Sequence, residues 1–560
     1  LGRTAVAAYA LVLAAVVLGL LVAFARRRLT SGAATSRGSN DSSLKRSRPF
    51  RAPAPSLSRS SSTSGSLHPL EDAARASQFW LERVPDVALA VWLVLAALVT
   101  TEQYHQLPHI LDAVSYTFQA GLFASGQLSL PAPALPEAFK GPFEVVWQGR
   151  LFSQYPPGAP ALYALGKLVG LEWLVGPALC VVLIGATAWT ARSLYGPACG
   201  LAALGLGLIS PFILFQAGSY LSHPIAGGIL AGAIAAFVAG ERYRSNRWYA
   251  VCGALFGLAF LAREVAAVLV ALPLGVRLLA CRRWSALVTI VALGAPFVAI
   301  YLAYNWLQTG DPLLLPRVLF NPGDHFGFGD GVGFYMRHTL AAGLANTDEL
   351  LTLLQFDLFG WPPLFALGLL LVPFLVGRAR AWDFVALGGV LAFVIAYVGY
   401  FYHGNALGPR YYFEAMPWLL LLAARGVQVL AGLAAAWLVP IVLVGALTLN
   451  TVLFYTPAEL ERRTDMSGVS GVRSFSIGFA QTSLLGPRLE GVPGNSLVVT
   501  NEWWLYNTGL AALNCPQLPD CDAIFAYAPN PSDVNQLTEA YPGRVLLRAD
   551  NRGGEITLAP

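Results

Sequence analysis

The chain has 560 residues, 56% of them hydrophobic and only 12% charged, with a net charge of +5. Soluble domains carry roughly 25% charged residues, and here apolar runs of about 18 residues or more, each long enough to cross a bilayer, recur along most of the length. That composition excludes a soluble globular enzyme. The basic residues, confined to short stretches between apolar runs, describe membrane topology rather than a nucleic-acid surface.

In chain order, the first apolar run (5–24) is followed by Arg26, Arg27 and Arg28. A signal peptide carries its charge before the apolar run, so 1–28 is expected to be a membrane helix entering from outside. Residues 29–84 form the next segment. Its Ser-, Arg-, Pro- and Gly-rich composition, nearly free of large apolar side chains to residue 78, predicts a disordered basic linker in the cytoplasm. Spans are then predicted at 85–102, 173–192, 197–215, 219–240, 248–262, 265–281, 284–305, 361–377, 382–402, 411–425 and 427–453. With the N-terminal helix the count is about twelve.

If these spans alternate, five basic clusters share one side: Arg192; Arg242, Arg244 and Arg247; Arg282 and Arg283; Arg378 and Arg380; and Arg425. Positive charge marks the cytoplasmic side. Two long loops, 103–172 and 306–360, and the tail from 456 then fall outside. The tail (456–560) reads as a small extracytoplasmic α/β domain, with strands at 496–500, 523–527 and 544–548 and a helix at 532–541. Cys180, Cys199, Cys252 and Cys281 lie in or beside apolar runs and read as buried thiols. Cys515 and Cys521, in the polar tail, are either free or paired; an extracytoplasmic location permits a disulfide.

The residues suited to chemistry gather at the predicted outer face. Asp112 opens an apolar helical stretch in the first loop. It is either an acidic helix-start residue or a general base held at the membrane surface. Arg263, in LAFLAREVAAV, sits at a turn between two spans, with Glu264 beside it as a candidate partner. Arg410, in Gly408-Pro409-Arg410-Tyr411-Tyr412, sits at the entrance of a span. A guanidinium can hold a phosphate through two parallel hydrogen bonds; otherwise these arginines form structural ion pairs or snorkel to the interface. Arg150, Tyr155, Tyr411, His403 and His325 are further candidates for binding sugar or phosphate, and His223 reads as structural. The histidines lack the paired spacing of a zinc site, so no metal or other cofactor is assigned. Asp311, Asp324 and Asp330 have Gly and Pro neighbours and read as turn residues or sugar ligands. Trp147, Phe152, Tyr335, Trp361, Tyr402 and Tyr412 read mainly as interfacial belt residues.

Several motifs, in order, carry a resemblance: FQAGLFASGQLSLPAPALPEAF (118–139), GRLFSQYPPGAPAL (149–162), LISPFILFQAGSYLSHP (208–224), YNWLQTGDPLLLP (304–316), NPGDHFGFGDG (321–331), HTLAAGLANT (338–347), LFGWP (358–362) and YHGNALGPRYYFEAMP (402–417). Together with the acidic residue before them, they resemble the GT-C glycosyltransferases. The similarity is to the branch holding protein O-mannosyltransferases, lipid A aminoarabinose transferases and their bacterial relatives, over about 85–455. The resemblance implies an all-α polytopic membrane domain in the plasma (inner) membrane with an extracytoplasmic active site. It implies an inverting transfer from a polyprenyl-phosphate sugar to an acceptor hydroxyl of protein, lipid or polysaccharide, with Asp112 as base and Arg263 and Arg410 on the donor phosphate. Many relatives carry a second acid directly after the first. Here that position is Ala113, which argues against a paired-carboxylate role. Two alternatives remain at this level: a non-catalytic scaffold of the same fold, and a lipid-carrier flippase or transporter. The second would need polar residues near the midplane, where the predicted spans are almost purely apolar.

Overall fold

The computed structural model describes residues 68–108, 110–334, 337–433, 438–458, 492–515, 518–552 and 555–560. The predicted helix at 1–28, most of the predicted linker and Tyr335 lie outside the described residues. The described part of the linker differs from expectation. Helix His68–Glu102 starts well before residue 85 and carries Pro85 within it. Its Ala-, Leu- and Glu-containing first half has good helix propensity, which outweighs the low apolar content that suggested disorder.

Each predicted span within the described residues overlaps helix, although helix Met416–Leu433 runs through residue 426, where two spans were expected to part, and the protein is a multi-pass membrane protein. Among the described residues, six helices are long and apolar enough to cross a bilayer alone, and Pro197–Ile209 with Pro211–Ala217, bent by 57°, gives up to seven. The expected count of about twelve is not reached by that measure. The reason is length. Asn246–Ala262 and Glu264–Ala280 have 17 residues each, or about 25 Å of helix, because the chain breaks at Arg263. The bend at 209–211 has a local cause: Pro211 cannot donate to the preceding turn. Ser210 caps the new helix by accepting from the Ile213 N–H and donating to the Leu358 carbonyl at 2.7 Å.

The first predicted outer loop (103–172) is ordered. Helix Leu111–Ala124 is followed by a three-stranded antiparallel sheet, order β1 (Leu130–Pro131), β3 (Arg150–Ser153), β2 (Glu144–Trp147). β2 and β3 pair Trp147 with Arg150 across Gln148 and Gly149, whose φ values of 48° and 73° make a tight hairpin turn. The loop ends in helix Gly158–Leu168. Gly158 abuts the backbone of Leu261 and Ala262, where a Cβ would lie 2.6 Å from the Ala262 nitrogen. Only glycine allows this helix to meet the turn that carries Arg263. The second predicted outer loop (306–360) contains a short antiparallel pair, β4 (Gly329–Asp330) and β5 (Arg337–His338), and an 18-residue helix, Leu340–Asp357, N-capped by Thr339.

The tail contains a four-stranded sheet, order β7 (Ala523–Tyr527), β6 (Ser496–Thr500), β8 (Val545–Arg552), β9 (Glu555–Ala559). β7, β6 and β8 are parallel, and β9 is antiparallel to β8. Helix Pro531–Ala540 connects β7 to β8, as a parallel crossover requires. Cys515 and Cys521 form a disulfide. The apolar core of this unit is shared with the first loop: Ala138 and Phe139 pack with Leu497, Ile524 and Leu537.

Candidate active site

The site is assembled from the ends of four segments. Helix Leu111–Ala124 packs Ala113, Val114, Ser115 and Tyr116 inward, and Ser115 Oγ lies 2.7 Å from Ser153 Oγ of β3. This contact places Tyr155, just beyond β3, beside Asp112. The Tyr155 hydroxyl donates to Asp112 Oδ1 at 2.7 Å, and its ring stacks on Tyr116 at 4.3 Å.

Arg410 arrives from the far side of the sequence. The turn 404–410 is built on Gly404 and Gly408, with φ of 66° and 94°, and the Arg410 N–H donates to the carbonyls of both glycines. Gly404 sits against the Tyr411 ring, where a side chain would collide. The turn leads directly into helix Met416–Leu433 through residues Arg410–Ala415. Arg410 Nη1 lies 3.1 Å from Asp112 Oδ2, and its side chain is 5% exposed. The guanidinium lies near the rings of Tyr402 and Tyr411, at 5.9 and 5.5 Å. Among the described residues its buried Nε makes no hydrogen bond, while Nη1 is committed to the Asp112 ion pair.

Arg263 breaks the helix on either side of it, with an extended backbone (φ −155°, ψ 92°). Its Nε lies 2.8 Å from Glu414 Oε1, and its Nη1 donates to Ser222 Oγ at 3.2 Å. Ser222 Oγ is also 2.8 Å from the Tyr116 hydroxyl. His223 Nδ1 reaches the same Glu414 oxygen at 3.0 Å. The expected Arg263–Glu264 pairing does not occur. Consecutive residues leave a helix in different directions, and Glu264 Oε1 instead pairs with Arg317 at 2.5 Å.

These groups line one cavity of about 330 Å³. Asp112, Tyr155, Arg263, Arg410, His403 and Tyr411 all face it, as do His223, Arg317 and Asp324. Burial pushes the Asp112 carboxyl up, but the Arg410 charge and the hydrogen bonds from Tyr155 and Arg410 outweigh it, so the group stays an anion below its ordinary range. Burial raises the Tyr155 phenol well above its ordinary value, and the adjacent Asp112 charge adds to that. His403 is lowered, first by burial and then by Arg410 against an opposing pull from Glu349; its Nδ1 accepts from the Asn405 N–H at 3.1 Å. Asp324 is raised by burial despite nearby Arg317 and accepts from the Tyr400 hydroxyl at 2.9 Å. Among the described residues, no three His, Cys, Asp or Glu side chains are grouped to hold a metal ion.

Two expected ligands lie elsewhere. Arg150 is absent from the cavity wall; it donates to the carbonyls of Leu307 and Gln308 at 2.7 and 3.1 Å and ties the hairpin to the end of helix Trp284–Thr309. His325 is exposed and its Nδ1 lies 3.2 Å from the next residue's carbonyl, so the chain turns it away while its neighbours Asp324 and Phe326 face inward. Phe152, Trp361 and Tyr412 are buried core residues rather than belt residues. Sequence reasoning missed Glu414, Arg317 and Trp504. Glu414 is a fully buried carboxylate at a span entrance, a costly placement that itself signals a partner.

No protein-family model and no curated protein sequence matches the chain. Solved structures do match. ArnT from Cupriavidus metallidurans bound to undecaprenyl phosphate superposes with a TM-score of 0.50 at 16% identity, covering 84% of this chain and 89% of that one. The chain has a GT-C fold. A second GT-C structure, the archaeal oligosaccharyltransferase AglB from Archaeoglobus fulgidus with an inhibitory peptide and a dolichol-phosphate, matches with a TM-score of 0.45 at 12% identity, covering 82% of this chain and 69% of that one.

Proposed function

We propose that this protein is an inverting glycosyltransferase of the plasma (inner) membrane. It would move a sugar from a polyprenyl-phosphate donor to an acceptor hydroxyl on the extracytoplasmic side. The observation that carries the reading is the Asp112–Arg410 pair, 3.1 Å apart inside the cavity. One member suits proton removal and the other suits phosphate.

In the transfer, the acceptor oxygen attacks the anomeric carbon from the face opposite the phosphate. Asp112 takes the acceptor proton, and the anomeric C–O bond breaks with its electron pair leaving on the phosphate. Arg410 and Arg263 hold that developing charge. The Arg410 Nε–H, without a hydrogen bond among the described residues, is a donor a phosphate would find. The same phosphate would compete with Asp112 for Arg410. Once Arg410 turns to it, the carboxylate loses its main charge partner, and burial raises its basicity toward what a general base needs. The Arg263–Glu414–His223 group fixes the opposite wall. The ArnT structure holding undecaprenyl phosphate supports the lipid class of the donor. The Cys515–Cys521 disulfide fits an oxidising compartment for the tail.

The test is donor turnover by purified protein with a panel of polyprenyl-phosphate sugars. Wild type should release polyprenyl phosphate, and Asp112→Asn should reduce the rate per folded molecule by about 10²- to 10⁴-fold. A wild type that turns over no donor is a scaffold, and one that translocates lipid without breaking the glycosidic bond is a flippase. Either result sinks the proposal.

A further inference from the structure

A second concavity, of about 440 Å³, lies between the first loop and the tail. Its aromatic lining is Phe143, Phe320, Trp503 and Tyr527, and its polar lining includes Glu137, Asn507 and Asp533. Two features connect it to the reaction cavity. Phe143 lines both spaces. Trp503 and Trp504 are perpendicular neighbours 5.0 Å apart, Trp503 in the groove and Trp504 in the cavity. From Phe143 the route to the base is short: its ring meets Tyr155 at 6.0 Å, and the Tyr155 hydroxyl donates to Asp112.

We propose that this groove is the acceptor subsite and that the acceptor it takes is a carbohydrate chain. This deepens the transferase reading and rests on it. Sugar rings present C–H faces that lie on indole and phenol rings, and hydroxyls that donate to carboxylates and amides. The groove offers both, and Trp503 is 45% exposed although the Trp504 ring lies against it. A hydrocarbon chain would strip water from Glu137, Lys140 and Asp533 with nothing in return. An extended peptide adding to the sheet would need a free edge. The β7 backbone is already taken at Phe525, whose N–H donates to Asn514 Oδ1 and whose carbonyl accepts from Asn514 Nδ2, both at 2.9 Å, while the short helix Pro136–Phe139 packs against β7 and its Phe139 meets Tyr541 at 5.5 Å. That helix is locked into the tail's core, so the groove is pre-formed. Phe143 itself holds a left-handed backbone (φ 57°), and its carbonyl accepts from Ser115 Oγ and the Gln154 N–H. A saccharide in the groove would pass its end across Phe143 and bring a hydroxyl to Asp112.

The test uses fluorescently labelled full-length protein in lipid nanodiscs, applied to an array of oligosaccharides and bacterial envelope glycans with Ser- and Thr-containing peptides on the same surface. The expected result is saturable binding to a subset of glycans. Binding should fall at least about tenfold in Trp503→Ala and survive in Trp503→Phe. Glu137→Lys, at an 83%-exposed side chain that folding does not need, should also weaken it. Undecaprenyl phosphate binding to the same preparations is measured in parallel. Its absence would count against the transferase reading, whereas glycan binding reports on the groove. The proposal is overturned by a wild type that binds no glycan, by binding that Trp503→Ala and Glu137→Lys both leave intact, or by peptide binding that depends on Trp503.

Discussion

Both ends of the helix bundle hold buried charge, and they use it differently. Helix Ser222–Tyr243 has His223 at one end and Glu241 at the other, about 27 Å apart along the axis. At the Glu241 end, Arg277 makes a two-point pair with that carboxylate at 2.9 and 2.8 Å and lies over Trp382 at 4.6 Å. Close by on the same end, Asp383 accepts from the Tyr195 hydroxyl at 2.6 Å and the Arg380 N–H at 2.7 Å. Arg425 lies 3.6 Å from Asp383 and donates to Gln428 and the Arg378 carbonyl. These groups are engaged with one another and with backbone, and they act as staples between helices. At the His223 end, Arg410 Nε and Glu414 Oε2 make no hydrogen bond among the described residues, and both arginines open onto a cavity. The residue types are the same. An open cavity distinguishes the site from the staples, because Arg425 Nε at the other end is also buried without a hydrogen bond among the described residues.

Three substitutions probe that contrast. Arg410→Lys should have the largest effect. It keeps the charge but loses the fork geometry that matches a phosphate, so donor turnover should fall by about 10²- to 10³-fold, and undecaprenyl phosphate binding should weaken with it. Near-wild-type turnover would show that the pair is a staple like those at the other end. Arg425→Ala should do the reverse. Removing one partner of a buried pair costs about 3–5 kcal/mol, so the melting temperature should drop clearly while turnover per folded molecule stays the same. A loss of turnover without a loss of stability would break the comparison.

The smallest effect is expected at Glu144, a buried carboxyl outside both clusters that accepts the Gly141 N–H at 2.9 Å. Burial raises it to about 8, against smaller opposing pulls from Gly141 and Lys140. Because its folded value lies above the ordinary 4.5, its contribution to stability is complete below pH 4.5 and is lost as pH climbs toward 8. Glu144→Gln keeps the hydrogen-bond acceptor without the charge. It should raise the melting temperature at pH 8 by a few degrees, roughly a 1 kcal/mol effect, with the gain vanishing near pH 4.5. A loss of stability at pH 8 would show that Glu144 has a charge partner like the other buried acids, and a gain that persists at acid pH would show that its charge is not the cause.

Much of the site was legible because burying charge in a membrane is costly enough to stand out. Asp112, Arg263 and Arg410 are ionisable residues at the borders of apolar runs, and Tyr155, His403 and Tyr411 follow from the same motifs. All six line the cavity. What sequence reasoning got wrong involved pairing and direction. Glu264 looked like the partner of Arg263 because it is adjacent, but a helix sends neighbouring side chains apart, and residues 317 and 414 supply the partners instead. Arg150 and His325 sit in motifs that do reach the site, yet a turn of one residue decides which side chain faces in. Trp504 reaches the cavity from a segment some 90 residues beyond Arg410, and no local pattern announces such a contact.

The sequence by itself determined that this is a multi-pass membrane protein, where its apolar helices run, and which charged residues border them. Hydrophobicity and charge are local properties, and a bilayer reads them residue by residue. Only the tertiary structure decided that Asp112 meets Arg410 across about 300 residues of chain, that Glu414 binds both Arg263 and His223, and that a helix of the first loop completes the core of the tail. Those contacts depend on how helix ends and loops converge in space, and sequence distance carries no information about that.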